Sequence, residues 1–280
     1  MIRALAERGA RARALIHHPQ GAKALASARC EIVRGDITDA ESLRAAAAGC
    51  ETIVNLVAII SGRAAEFERV IAGGTRNALT AAQAAGTKRF VQMSALGVSE
   101  ETASLVPYYA AKWESEQIVK ASGVEHVILR PSFVFGPDGG ALPRFLKIAR
   151  LAPVTPIIGS GTQRLQPIWV DDIAEVIARA TELPGEVAVT YEVGGPQVID
   201  WNELWARMKE AQRARRPAVH LPVWLMKPQA ALLELFPSPP LTRDQLKMLE
   251  AGDNVVTNDD ARRAFPLDLV PLDEQLRRAL

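Results

Sequence analysis

Two hydrophobic periods alternate along the first half of the chain. Residues 2–8 space their apolar positions as a helix does and stop at Gly9, a residue that accepts the positive φ of a helix end. Residues 12–17 then read as a strand, 20–27 as a short helix, and 31–33 as a strand closing at Gly35 and Asp36. Thr38, Asp39 and Glu41 carry a capping signature for an alanine-rich helix to Ala48. Residues 52–58 follow as a strand, 64–85 as a helix closed by Gly86, and 89–94 as a strand. Residues 108–121 form a helix closed by Gly123, and 126–130 a strand before Pro131. The unbroken apolar run 53–60 suits a parallel strand covered on both faces. Strands separated by helices predict right-handed βαβ units and a parallel α/β sheet.

Beyond Pro131 the pattern changes. Pro131, Gly136, Pro137, Gly139, Gly140 and Pro143 cluster, and Pro153 and Pro156 follow. Residues 191–194 and 201–213 read as a strand and a helix. Residues 222–240 combine an apolar helix with a proline-rich loop. The expected organisation is a sheet domain over 1–130 and a smaller lobe over 131–280, with some of its strands rejoining the sheet.

Composition narrows the function classes. With 33 basic and 32 acidic side chains the net charge is +1, so the chain as a whole offers no electrostatic case for nucleic acid or an acidic membrane surface. Cys30 and Cys50 lie outside any CxxC or Cys/His cluster, and the four histidines are scattered, so neither a disulfide scaffold nor a metal site is expected. A reduced, cytoplasmic protein is the default. No apolar segment reaches the roughly 18 residues of a spanning helix.

Tyr108 and Lys112 stand one helical turn apart on one face. There an ammonium could lower a phenol's pKa and poise it as an acid or base toward an alcohol or carbonyl. Ser94, at the end of the preceding strand, is placed to hydrogen-bond the same oxygen. Asp36 follows a strand and a glycine, where an acceptor meets an adenine amino group or simply caps a turn. Arg130, Pro131 and Ser132 mark another strand end, suited to a stiff loop over a cofactor ring or to a structural turn.

The ordered set GDITDAESL, TIVNLVA, GGTRNALTAAQAAGTKRFVQMSALGV, YYAAK, ILRPSFVFGP and QPIWVDDIAEVIARA resembles an extended or atypical short-chain dehydrogenase/reductase over nearly the whole chain. The C-terminal run PPLTRDQLKMLEAGDNVVTNDDARRAF resembles the bacterial relatives of the nucleotide-binding accessory subunit of respiratory complex I, often described as NAD-dependent epimerase/dehydratase. The resemblance implies a Rossmann-like doubly wound sheet that binds NAD(P)(H). Asp36 and Ile37 would then touch adenine, and Leu56, Val57 and Ala58 would line the ribose–pyrophosphate side. Tyr108 and Lys112 would hold the nicotinamide ribose, with Pro131 and Ser132 near the nicotinamide.

Two positions depart from the family. A GxxGxxG turn after a first strand is missing, so the sheet is expected to lack that strand. Met1 then reads as a misassigned or truncated start, with about 20 residues to be found upstream and weak dinucleotide binding by the 280-residue chain. The asparagine that many active members carry before the GT of the next helix is replaced by Ile71, which sets proton relay and turnover in question. The second strand ends in His17 and His18 without a carboxylate for ribose hydroxyls, which favours NADP(H) over NAD(H).

Three functional readings follow. The first is a nucleotide-binding protein with little or no turnover, associated with a respiratory-complex subunit and peripheral on the inner membrane. The second is a soluble NADP-dependent reductase, dehydrogenase or epimerase using Tyr108 and Lys112. The third is an interaction module without nucleotide. The apolar stretch 223–236, with Trp224, Leu225, Met226, Leu232, Leu233, Leu235 and Phe236, either docks a partner or membrane surface or covers the lobe's own core.

Overall fold

The computed structural model describes residues 1–236, 239 and 241–280. They form two compact units, one of residues 1–130 with 173–191 and one of 131–172 with 192–280.

The first unit opens with α1 (Ile2–Glu7), which ends at Gly9 with φ +78°, and β1 (Ala12–Ile16). Next come α2 (Pro19–Ala24), β2 (Cys30–Arg34) and α3 (Ala40–Ala47). The Asp39 carboxylate caps α3 by accepting from Glu41 N at 3.0 Å. β3 (Thr52–Asn55) leads through α4 (Ala64–Phe67) and a π-helical turn (Glu68–Gly73) into α5 (Gly74–Ala84). β4 (Arg89–Met93), α6 (Glu100–Ala103), α7 (Pro107–Ala121) and β5 (Glu125–Pro131) complete this run.

β6 (Val134–Phe135), α8 (Leu142–Leu151), β7 (Thr155–Ile158), β8 (Arg164–Leu165) and β9 (Ile168–Trp169) belong to the second unit. Most of α9 (Val170–Ala180) and the first part of β10 (Ala188–Val193) return to the first. The rest of the second unit is β11 (Ile199–Asp200), α10 (Trp201–Ala211), β12 (Ala218–Leu221), α11 (Val223–Leu233), α12 (Arg243–Glu250), α13 (Asp260–Ala264) and α14 (Leu272–Arg278).

The expected α/β fold with a parallel sheet is present, in two pieces. β1 and β2 pair in parallel, with Ala12 opposite Cys30 and Ile16 opposite Arg34. The other sheet has the order β10–β5–β4–β3, with β3, β4 and β5 parallel. Among the described residues no strand bridges the two pieces. Leu43, Leu79, Ala82, Phe90, Val119 and Ile128 form the core around the larger sheet. In the second unit Phe135, Leu142, Leu146, Trp169, Leu204, Trp205 and Met208 make a separate core.

Two elements differ from the sequence expectation. The strand over 52–58 stops at Asn55, and the apolar run to Ile60 leaves the sheet. Asn55 turns its buried amide inward to donate to Gln92 Oε1 at 3.0 Å and Thr75 Oγ1 at 3.2 Å. Its Oδ1 accepts from Val57 N at 3.1 Å, which closes a local turn and bends the backbone out of the ladder. The continuous helix over 64–85 is interrupted by the π-helical turn. Where α5 resumes, Gly74 lies so close to Ile37 that a Cβ would sit 2.5 Å from Ile37 Cγ1. Such turns often accompany functional sites.

The stretch 223–236 covers its own core only in part, with Val223, Met226, Ala231 and Leu233 half-buried. Ala230 is its one fully buried residue in α11, whereas Trp224, Leu225, Leu232, Leu235 and Phe236 are exposed. Of the proline-rich loop that ends at 240, positions 237, 238 and 240 lie outside the described residues.

Candidate functional site

The carboxyl ends of β1 to β4 carry the candidate residues of the first unit, the edge where ligands bind in open α/β sheets. Parallel pairing of β1 with β2 brings their ends together. There Asp36 Oδ1 accepts from Thr38 N at 2.8 Å and Thr38 Oγ1 at 2.9 Å, while Oδ2 faces His17 Nε2 at 3.1 Å. The Thr38 amide and hydroxyl hold the Asp36 carboxyl below its usual range, helped by His17 and Arg69 against some burial. The edge expected to be without a carboxylate therefore gains one from the neighbouring strand. Ile37 is half-buried under Gly74, and its carbonyl accepts from Asn77 Nδ2 at 3.1 Å. Leu56, Val57 and Ala58 are exposed beyond β3. Thr38, Glu68, Arg69, Gly73, Arg76 and Asn77 line a cleft of about 340 Å³ beside Asp36.

Tyr108 and Lys112 on α7, and Ser94 just past β4, occupy two different environments. Tyr108 packs edge-on against Phe67 at 6.1 Å and adjoins the buried Ile71 and Ala111. Burial pushes its phenol above the usual range. Lys112 is fully buried, and its Nζ donates to Met93 O at the end of β4, 2.7 Å away. Burial lowers this ammonium to about 8, with Glu116 opposing the shift. The expected depression of the phenol by Lys112 does not occur. Desolvation dominates Tyr108, and the ammonium is drawn to a strand carbonyl and toward Glu116 instead.

Ser94 differs from expectation as well. Its hydroxyl donates to Glu116 Oε1 at 2.6 Å, so its proton is committed inside the protein. Glu116 has no solvent exposure and also accepts from Arg130 Nε at 2.8 Å and Nη2 at 2.6 Å, with Lys120 Nζ at 3.4 Å. This charged centre and the Asn55–Thr75–Gln92 set were missed from sequence. The available signal was the spacing Lys112, Glu116, Lys120, which repeats every four residues on one helix face.

Pro131 and Ser132 belong to the second unit. Pro131 closes β5, and Ser132 Oγ donates to Asn254 Oδ1 at 2.6 Å and Asn254 O at 3.1 Å. No metal-binding cluster occurs among the described residues, and no helix there is long and apolar enough to cross a membrane.

The parallel strands and the acceptor at the end of β2 define a Rossmann-like nucleotide-binding class. A family model described as NAD(P)H-binding matches residues 1–182, and the chain belongs to this family. It is 30% identical over 260 residues to the mitochondrial NADH dehydrogenase [ubiquinone] 1 alpha subcomplex subunit 9 of Arabidopsis thaliana, covering 84% of this chain and 61% of that protein. It is 30% identical over 223 residues to the ceramide reductase of Caulobacter vibrioides, covering 79% of this chain and 69% of that one. The triphenylmethane reductase of Citrobacter sp., solved with NADP(H), shares the fold at a TM-score of 0.77 and 18% identity, over 100% of this chain and 95% of that chain.

Proposed function

We propose that this protein binds NAD(P)(H) as a complex I accessory-subunit-like component with little or no turnover, peripheral on the inner membrane and in contact with a respiratory-complex subunit. In this reading residues 1–130 are the dinucleotide-binding domain and 131–280 the substrate-side lobe. Asp36 and Ile37 take the adenine, Leu56, Val57 and Ala58 flank the ribose–pyrophosphate, Tyr108 and Lys112 hold the nicotinamide ribose, and Pro131 and Ser132 face the nicotinamide. A bound dinucleotide would supply hydride chemistry. The chain's own residues would bind and orient it: Asp36 as acceptor, Lys112 as donor through N–H groups not used by Met93.

The observation that carries low turnover is the Ser94 proton, donated to a buried carboxylate. A serine that polarises a substrate carbonyl must donate to it. Tyr108 points the same way, because a phenol raised by burial is a poorer proton relay and Ile71 beside it offers no polar group. The kinship to the accessory subunit supports the same choice.

The ceramide reductase relative favours a second reading, an NADP-dependent reductase in which Tyr108 protonates the product oxygen. Tyr108→Phe separates the two. Under the first reading it weakens dinucleotide binding, through the lost hydroxyl contact to the nicotinamide ribose, and leaves the absence of turnover unchanged. Under the second it removes nearly all of a measurable reductase activity. We further assign a preference for NADP(H), carried by His17 and His18 at the end of β1. Calorimetric titration of the full chain with both cofactors tests it, and tighter NAD(H) binding overturns it. Lys112→Met is expected to weaken either cofactor at least tenfold; unchanged affinity would remove Lys112 from the site.

A further inference from the structure

The near-neutral charge of the whole chain hides a local imbalance in the second unit. Residues 142–156 and 209–217 hold seven cations against one acid, Glu210. The fold joins these two segments. β7 and β12 are parallel with Thr155 opposite Ala218, so the ends of α8 and α10 enter the strand pair from the same side. Thr155 N donates to Pro217 O at 2.8 Å, and Gln212 Nε2 to Leu146 O at 3.0 Å, which ties the two approaches together.

Arg144, Lys147 and Arg150 recur every three residues on the exposed face of α8, and Arg213, Arg215 and Arg216 follow α10; all six are exposed. Among the described residues none of the six side chains makes an ion pair or hydrogen bond, whereas Arg207 on α10 is matched by Glu203 and Asp273. Leu151 and Val154 lie between the two sets of cations and are 63% and 36% exposed. Arg213 has φ 53°, and it is the one non-glycine residue at positive φ among the described residues. An arginine there is strained relative to a right-handed conformation, a strain that glycine would avoid.

We propose that this end of the β7–β12 pair is a docking surface for an anionic lipid bilayer, with the arginines and Lys147 on the headgroups and Leu151 and Val154 at the acyl boundary. A cluster of this size beside exposed aliphatic side chains is the pattern that anionic leaflets attract. Single-stranded nucleic acid is the poorer fit, because the one aromatic of these segments, Phe145, packs against Trp201 and Trp205 instead of offering a stacking face. The exposed apolar helix α11 lies beyond the other end of β12, and its charges are internally matched by Lys227–Glu250 and Glu234–Arg243. This surface deepens the peripheral-location part of the proposed function and is independent of dinucleotide binding, which is read separately by titration.

The test is flotation of the full chain with vesicles of phosphatidylcholine alone and of phosphatidylcholine with phosphatidylglycerol. Binding is expected only to the second and should fall with added salt. Arg215→Gln with Arg216→Gln should weaken it by more than about tenfold, at about fivefold per charge. Leu151→Ser should weaken it without changing the salt dependence. Arg213→Gly should raise the melting temperature and still weaken binding, which separates a surface role from damage to the fold. Trp224→Ala should leave binding unchanged. Absence of binding to the anionic vesicles overturns the proposal. So does loss of binding in Trp224→Ala alone, or tighter binding to an oligonucleotide that ignores Leu151→Ser.

Discussion

The two pieces of sheet in the first unit hold their charged groups in opposite ways. At the end of β1–β2, Asp36 and His17 meet with side chains 37% and 62% exposed, just past strands that bury no residue fully. Behind β4 and β5, Glu116 has no exposure at all and is surrounded by Ser94, Arg130 and Lys120. Water screens the first pair, so its members can be exchanged at little cost to folding and remain accessible to a ligand. Glu116 and Ser94 were stripped of water on folding, with Arg130 mostly so and Lys120 still reaching solvent, and the buried carboxylate depends on its partners. The difference separates binding from architecture. The exposed edge can select a ligand, and the buried centre can only keep the edge in place.

The largest expected effect lies in the buried centre. Glu116→Ala removes the acceptor shared by Ser94 and Arg130 and leaves a charge in the interior. It should destabilise the protein by about 3–5 kcal/mol, measured by denaturant unfolding. A loss below about 1 kcal/mol would show that the centre is hydrated and that the contrast with β1–β2 is false.

Lys112 gives the next effect, and its sign follows from burial. The folded ammonium releases its proton near 8 against 10.5 for the ordinary side chain. Between these values the unfolded chain binds more protons, so stability should rise with pH, by up to about 3 kcal/mol. Tyr108 limits the gain. Its folded phenol is raised above the usual 10, so above that pH the unfolded chain loses protons first and stability falls again. Unfolding midpoints between pH 7 and 11 should therefore pass through a maximum, and Lys112→Met should flatten the rising limb. A flat profile for the unmutated protein would mean that Lys112 is solvated.

The sequence showed the strand–helix alternation of the first unit, because periods of 2 and 3.6 are local and each capping signal sits beside its helix. Asp39 and Gly9 are both found in the predicted roles. Ranges failed where a distant side chain decides the local backbone. The run 53–60 is apolar enough for a longer strand, yet Asn55 ends it by reaching Thr75 and Gln92, 20 and 37 residues away. The same limit hid the centre around Glu116, whose partners Ser94 and Arg130 come from two other elements. Asp36 was legible as an end-of-strand acceptor, but not its meeting with His17, which depends on the pairing of β1 with β2. The cation cluster of the second unit escaped for a related reason: whole-chain charge averages over segments that only the fold brings together.

Gly74→Ala tests the junction between the two pieces. The added methyl would meet Ile37 Cγ1 at 2.5 Å, and Ile37 follows directly on Asp36. Overpacking of this kind costs about 1–3 kcal/mol. The expected result is a moderate loss of stability together with weaker dinucleotide binding, since any displacement of Ile37 carries Asp36 with it. Pairing with Ile37→Ala, which removes Cγ1 and Cγ2, should relieve the contact and recover part of the affinity. If stability falls and affinity does not, the adenine assignment of Asp36 and Ile37 is wrong.

The smallest effect on stability, and the most selective on ligand, is expected from His17→Ala. The pair it breaks is largely exposed, so the loss should stay below about 1 kcal/mol. Asp36 keeps most of its support, because the Thr38 amide and hydroxyl contribute more to its lowered pKa than His17 does. Its share of stability is present above the ordinary carboxylate pKa and is lost as pH falls through the lowered folded value, and this acid limb should survive in His17→Ala. The cofactor balance should not. Without the His17 imidazole, whose Nε2 meets Asp36 Oδ2 at 3.1 Å, this edge has one nitrogen fewer to meet a 2′-phosphate and keeps an acceptor for ribose hydroxyls. Titration of His17→Ala should therefore move the ratio of NADP(H) to NAD(H) affinity toward NAD(H), with the unfolding midpoint nearly unchanged. An unaltered ratio would place the 2′ position of the ribose away from the end of β1 and leave Asp36 with the adenine alone.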